Sequence, residues 1–301
     1  MKNNPIYILN SVSEMHTFLK IKGPSHPLVS VVNFADIERL SSEENQTFVY
    51  NFYAIYLKKN FDGTIKYGQQ YYDYNNGIMT FFAPKQKLTV EAGNASKIEG
   101  WMLVFHPDFI HNYEVGKRIK EYGFFSYAAN EALHLSDKEV TIISGLVHNL
   151  QQEIETMIDN YTQDVVVSHI ELLLNYCNRF YNRQFITRKK ASNDLFLKFE
   201  ALLTAHFQNE ISDLPSVQYF ADKLLVSPHY LNDMLKNLTG QTTQQHIQNQ
   251  LIEKAKELLS ITKLSVSEIA YQLGFEYPQS FNKLFKNKTS LTPLEFRQSF
   301  N

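Results

Sequence analysis

A repeat within the last third of the chain constrains its fold more than any other feature. Phe220-Ala221 aligns with Ile269-Ala270 and Leu224 with Leu273 at an offset of 49 residues. Beyond a turn, Pro228 aligns with Pro278, Leu231 with Phe281, Leu235 with Phe285, Lys236-Asn237 with Lys286-Asn287 and Thr239 with Thr289, at an offset of 50. Self-similarity over such a distance means one supersecondary unit used twice. Each copy reads as a short helix, a tight turn and a second helix whose apolar residues lie four apart, which is helix-turn-helix geometry. Ala221 and Ala270 are small enough for two helices to cross closely, and Gly274 supplies the permissive backbone of the second turn. The surrounding pattern is short helix after short helix. Leu195, Phe199, Leu202, Leu203 and Phe207 form one apolar stripe, and further helices are predicted over 216–224, 228–237, 243–260, 265–273, 278–288 and 293–298. Pro228, Pro278 and Pro293 each stand at a helix start, where a missing N–H costs least.

Composition narrows the function classes. A chain of 301 residues suits two domains, each able to bury its own core. The formal net charge of −2 gives no bulk basic surface for nucleic acid, and from Leu195 onward ten Lys and Arg balance ten Asp and Glu. Nucleic-acid binding must therefore come from a local arrangement. Arg179, Arg183, Arg188, Lys189 and Lys190 form the one local cation excess, and it runs into a stretch of weak apolar periodicity over 184–194 that reads as an interdomain linker. No run approaches the ~18 apolar residues of a spanning helix, so no membrane partner is expected. The first eleven residues lack the apolar core of a secretory leader, so a cytoplasmic location is expected. A single cysteine, Cys177, excludes an intrachain disulfide and a multi-cysteine zinc site, and its place on an apolar stripe reads as a buried thiol.

The first half alternates aromatic and β-branched residues with polar ones, as in 48–57 and in 78–82 after Asn75-Asn76-Gly77. Further strands are predicted over 28–34, 87–91 and 99–106, with Pro84 and Pro107 where strands stop. Tyr50, Phe52, Tyr56, Tyr71, Tyr72, Tyr74, Phe81, Phe82 and Trp101 supply an aromatic interior, part of which would line a ligand cavity; the pattern suggests a small barrel or sandwich. The character changes near Leu135. Ser136 and Glu139 make a capping box, followed by Val140, Ile143, Leu146, Val147, Leu150 and Ile154 at helical spacing. Val166, Ile170, Leu173, Leu174 and Cys177 make a second run, so a helical hairpin either covers the barrel or forms a dimer seam. His106 and His111 flank Pro107-Asp108 without metal-binding spacing, His169-Ile170-Glu171 is no zinc-protease motif, and no Gly-rich phosphate loop occurs. No metal, cofactor or enzymatic activity is expected.

The stretch from Ser265 to Arg297, SVSEIAYQLGFEYPQSFNKLFKNKTSLTPLEFR, resembles the signature of AraC/XylS-type transcription regulators. Ile269-Ala270, Gly274-Phe275, Phe281, Phe285-Lys286, Thr292-Pro293 and Phe296-Arg297 carry the likeness, which covers about the last hundred residues. It implies two helix-turn-helix units joined by a long helix. The β-rich first half is similar to the cupin-like effector domain of that family. Two positions depart from the pattern: Ser290 stands where the family has Gly, and Leu225 stands where the second copy has Gly274.

The resulting expectation is a two-domain protein. Residues 1–183 form a cupin-like sensing and dimerisation domain, with the barrel over 1–135 and helices over 136–183; 184–194 link it to an all-α double helix-turn-helix domain over 195–301. In the second recognition helix Gln279, Ser280, Asn282 and Lys283 point outward, because Phe281 and Phe285 point into the core. By resemblance Gln279, Ser280 and Lys283 match base-facing positions, and in the first recognition helix His229, Asn232 and Asp233 do so. Gln pairs with adenine and Lys with guanine in the major groove, whereas Asp233 either accepts from a cytosine amino group or weakens the contact. The second copy is therefore expected to supply more of the affinity. Lys286, Lys288 and Arg297 are candidates for phosphate contact, although the resemblance implies for the terminal Arg297 a role in holding the domain together. An 18-residue joining helix is about 27 Å long, against about 34 Å between successive major-groove faces. The expected partners are double-stranded DNA, RNA polymerase, a small-molecule effector and a second copy of the chain, with activation as the expected outcome. Two other readings stay open: a metal-dependent cupin enzyme with an appended DNA-binding module, and a constitutive dimeric DNA-binding protein without an effector.

Overall fold

The computed structural model describes residues 5–37, 46–59, 65–67, 70–72, 77–90, 99–127, 131–156, 159–187, 189–208 and 214–299. The chain divides into two compact units, Met1–Gln184 and Phe185–Asn301. In the first, the order is β1 (Ile6–Leu9), α1 (Val12–Leu19), β2 (Val29–Asn33), β3 (Gln46–Tyr50), β4 (Tyr53–Lys59), β5 (Ile65–Tyr67), β6 (Gln70–Tyr72), β7 (Ile78–Phe82), β8 (Lys87–Val90), β9 (Glu99–Phe105), α2 (Pro107–Ile110), α3 (Glu114–Arg118), β10 (Leu133–His134), α4 (Asp137–Glu155) and α5 (Thr162–Thr187).

The described strands form open sheets. A five-stranded antiparallel sheet runs β10-β7-β4-β9-β2, a three-stranded sheet runs β1-β3-β8 with β1 parallel to β3, and β5 pairs with β6. The single strand expected over 48–57 is two strands in different sheets. Asn51 breaks it: its N–H donates to Leu9 O at 3.0 Å and its Nδ2 to Asn10 Oδ1 at 2.7 Å, while Phe52 is driven fully into the core. That bend sends β3 and β4 apart, so the described strands make open sheets where a closed barrel was expected. Between them lies an aromatic core of Phe48, Tyr50, Phe52, Tyr56, Met102 and Val104, closed by Val12 and Met15 of α1.

Both faces of β4 are covered, which is why Tyr53 to Leu57 reads as one apolar run. Tyr53 stacks on Phe105 at 5.2 Å and meets Phe125 edge-on at 5.1 Å, on the face away from Tyr56. Of the aromatic set, Tyr50, Phe52, Tyr56 and Phe81 are buried while Phe82 and Trp101 are half-buried. The Tyr56 hydroxyl donates to the Tyr50 hydroxyl at 3.1 Å, and burial pushes both phenols up. Tyr74, Asn75 and Asn76 lie outside the described residues, as do the side chains of Tyr71 and Tyr72.

The helical hairpin opens as expected: Ser136 N–H donates to Glu139 Oε2 at 2.8 Å, and Val140, Ile143, Val147, Leu150 and Ile154 are buried. Its second helix is fastened back to the sheet edge. Gln184 accepts from His134 N–H at 2.8 Å and donates to Ala132 O at 3.2 Å, so one side-chain amide pairs with β10 as a neighbouring strand would. Arg183 donates to His134 O and to Glu139 Oε2, closing the hairpin at its open end. Cys177 is buried on this helix, and desolvation pushes its thiol up. The stretch 184–194 holds the end of α5 and the start of the next helix, and both Gln184 and Phe185 are buried. Its Gln, Lys and Ala residues are good helix formers, which is why the described backbone there is helical. The side chains of Arg188, Lys189 and Lys190 lie outside the described residues.

Candidate nucleic-acid interface

The second unit carries α6 (Lys189–Gln208), α7 (Val217–Leu224), α8 (Pro228–Thr239), α9 (Thr243–Ile261), α10 (Val266–Gln272), α11 (Pro278–Thr289) and α12 (Pro293–Gln298). Five of these starts are written in the sequence as caps. Ser216 and Ser227 cap α7 and α8 by accepting from the N–H groups of Tyr219 and Tyr230. Thr242 with Gln245, Ser265 with Glu268 and Thr292 with Glu295 form reciprocal capping boxes for α9, α10 and α12. Those hydrogen bonds hold the Glu268 and Glu295 carboxyls below the usual range.

The repeat survives at the level of single hydrogen bonds. Val226 N–H reaches Ala221 O at 3.1 Å, and Phe275 N–H reaches Ala270 O at 3.0 Å. At the other end, Thr239 and Thr289 donate to Leu235 O and Phe285 O, both at 2.8 Å, and accept from the N–H groups of Gln241 and Leu291. Gly240 and Ser290 close the two recognition helices in left-handed backbone at φ +76° and +65°. The turns show the same exchange of residue types, with Leu225 at φ +58° where the second copy has Gly274 at φ +84°. Both departures noted in the sequence are thus non-glycine residues in the left-handed region.

Apolar residues of each copy lock the recognition helix from behind. Ala221, Ala270, Leu231, Leu235, Phe281 and Phe285 are completely buried. Phe281 and Phe285 lie in a chain of rings from Phe275 to Phe296 with centroid distances of 5.4, 5.7 and 5.5 Å. The opposite side of α11 is open: Gln279, Ser280, Asn282, Lys283 and Lys286 are all exposed. Residues 279, 283 and 286 fall on one helical face, so two cations and an amide form one stripe.

The first recognition helix is less available. His229 is exposed, but Asn232 and Asp233 are half-buried. Asn232 Oδ1 accepts from Thr243 N–H at 3.3 Å, which spends it on the start of α9. Tyr230, at the place of exposed Ser280, is buried and meets Phe185 at 5.2 Å. Arg297 Nε donates to Leu259 O at 3.2 Å, so this arginine ties α12 to the end of α9. Lys288 reaches Asn249 of α9, a contact no sequence pattern signals. His106 accepts from Asp108 N–H as the cap of α2, and among the described residues no three His, Cys, Asp or Glu side chains are grouped to hold a metal ion. No described helix is long and apolar enough to cross a membrane.

Comparison with known proteins bears on this half of the chain. The family described as "Helix-turn-helix domain" matches residues 220–299. The uncharacterized transcriptional regulatory protein YesN of Bacillus subtilis is 39% identical over 79 residues, 26% of this chain and 22% of that protein. The HTH-type transcriptional activator RhaS of Enterobacter sp. is 31% identical over 153 residues, 50% of this chain and 53% of that protein. Among solved structures, the C-terminal domain of AraT, a response regulator from Geobacillus stearothermophilus, is 28% identical, covers 35% of this chain and 84% of that chain, and has a TM-score of 0.32. The chain spans between 8% and 53% of the length of the first curated relatives it matches. The repeat, the exposed stripe on α11 and the matched family agree: the C-terminal unit of this chain is an AraC/XylS-type helix-turn-helix domain.

Proposed function

We propose that the whole chain is a sequence-specific transcription regulator that reads double-stranded DNA with α8 and α11 in two successive major grooves. The observation that carries this is the stripe of Gln279, Ser280, Lys283 and Lys286, exposed on a helix whose other side is held by buried Phe281 and Phe285. Asn282, His229, Asn232 and Asp233 complete the reading set. At 19 residues α9 is about 28 Å long, close enough to the ~34 Å groove repeat for modest DNA bending to seat both helices. The second copy dominates affinity, because Asp233 repels phosphate and Asn232 is engaged by Thr243.

The N-terminal unit serves as the sensing and dimerisation part. A small-molecule effector bound among its β-strands shifts the population of DNA-competent arrangements. Ile142, Val165 and Leu172, exposed on α4 and α5, support a seam with a second copy. RNA polymerase is the downstream partner and the cytoplasm the working compartment. The test is selection of random duplex DNA by the full chain, with the double variant Gln279→Ala and Lys283→Ala as control. A two-part motif lost in the control supports the reading; binding that is only salt-sensitive and indifferent to sequence refutes it. On that motif Lys283→Ala should weaken binding by about 1–3 kcal/mol and lower the salt slope by about one, more than Asp233→Ala does.

A further inference from the structure

Three side chains form a hydrogen-bonded path across the exposed side of α9. Asn249 Nδ2 donates to Gln241 Oε1 at 3.0 Å, and Lys288 Nζ donates to Asn249 Oδ1 at 3.2 Å. Gln241 lies in the turn after α8, and Lys288 in the last turn of α11. The path therefore joins the C-terminal ends of the two recognition helices through the middle of the helix that separates them.

Two arguments separate these residues from the DNA-reading set. On a helix of 3.6 residues per turn, Lys288 lies within about 20° of Phe281, on the side of α11 away from Gln279 and Lys283. Its ammonium is directed to α9, not to the exposed stripe. The repeat itself also does not call for polar groups here. At the offset of 50, the residue matching Lys288 is Leu238, and the residue matching Gln241 is Leu291. Each of the two polar residues therefore has a leucine as its counterpart in the other copy, so neither is carried over from the repeat.

We propose that Asn249 is a positioning residue that fixes the orientation of α11 against the α8–α9 turn, and so sets the spacing and rotational phase of the two DNA half-sites the protein accepts. This rests on the DNA-binding reading above. One base pair added between half-sites turns the second by about 35° and moves it by about 3.4 Å. A rigidly held pair of helices must give up contacts on one side, whereas a loosened pair follows.

The experiment is competition binding of the full chain to duplexes carrying the motif it selects, with the spacer kept, lengthened or shortened by one base pair. Asn249→Ala should reduce the preference for the selected spacer by about two- to fivefold, the range of an exposed polar strap, while affinity on that spacer holds. Lys288→Ala should do the same. Asn249→Asp should restore the preference, because a carboxylate accepts from Lys288 and from the turned amide of Gln241. An unchanged preference in Asn249→Ala, or an equal loss on all three spacers, overturns the proposal while leaving DNA reading intact. A wild-type chain that selects no two-part motif overturns both.

Discussion

Leu225→Gly should stabilise the first helix-turn-helix, although it deletes a whole apolar side chain. Leu225 closes α7 in left-handed backbone at φ +58° and ψ +40°, where Cβ crowds the following carbonyl oxygen. That conformation costs an L-residue about 1–2 kcal/mol. The side chain is 76% exposed, so its removal forfeits little burial. Glycine adds about 0.5–1 kcal/mol of unfolded-chain entropy, so the net gain is about 0.7 kcal/mol. Hydrogen exchange followed by mass spectrometry on the full chain reads this locally. Amides of α7 and α8 should exchange about threefold more slowly, by the tenfold-per-1.4 kcal/mol relation. Those of α10 and α11, where Gly274 already occupies the matching turn, should not move. Leu225→Ala keeps the Cβ and is the control: it should leave protection unchanged. Slowing in both variants would show that the exposed leucine, not its backbone, carries the strain. Faster exchange in the glycine variant would refute the reasoning outright.

Two further outcomes follow from the same hydrogen-bond accounting. Gln184→Leu strands the His134 N–H and the Ala132 carbonyl in a buried setting, which should lower the stability of the first unit by about 2 kcal/mol in urea unfolding followed by Trp101 fluorescence; a loss under about 0.5 kcal/mol would mean that β10 needs no such clamp. Desolvation lowers the His246 pKa, with Glu200 opposing it, so the folded state binds its proton less readily than the unfolded chain. This contribution is present above about pH 6.5 and is lost as pH falls through the folded value, so the stability difference between wild type and His246→Gln should narrow or reverse between pH 7.5 and pH 5.5. A gap independent of pH would show that the proton plays no part.

Local chemistry was legible wherever it acts over a few residues. Caps at Ser216, Ser227, Thr242, Ser265 and Thr292, prolines at helix starts, and apolar residues four apart write the C-terminal helices into the chain, because each interaction spans one or two turns. The repeat then specified which faces are buried, since Phe281 and Phe285 can point inward only if Gln279 and Lys283 point outward. Tertiary structure decided the rest. The path from Lys288 through Asn249 to Gln241 joins residues 39 and 8 apart in sequence, with no periodic pattern to announce it. Asn232, read from the sequence as a base contact, also accepts from the start of α9 through its Oδ1, a partner that only folding brings within reach. The run over 48–57 had strand chemistry throughout, and only the pull of Asn10 on Asn51 and the burial of Phe52 divided it between two sheets. Propensity and periodicity act through neighbours along the chain, and so the residues alone determined the helices and their inward faces. Which strands share a sheet, and which polar side chains are spent inside the fold, depends on groups brought together only by folding.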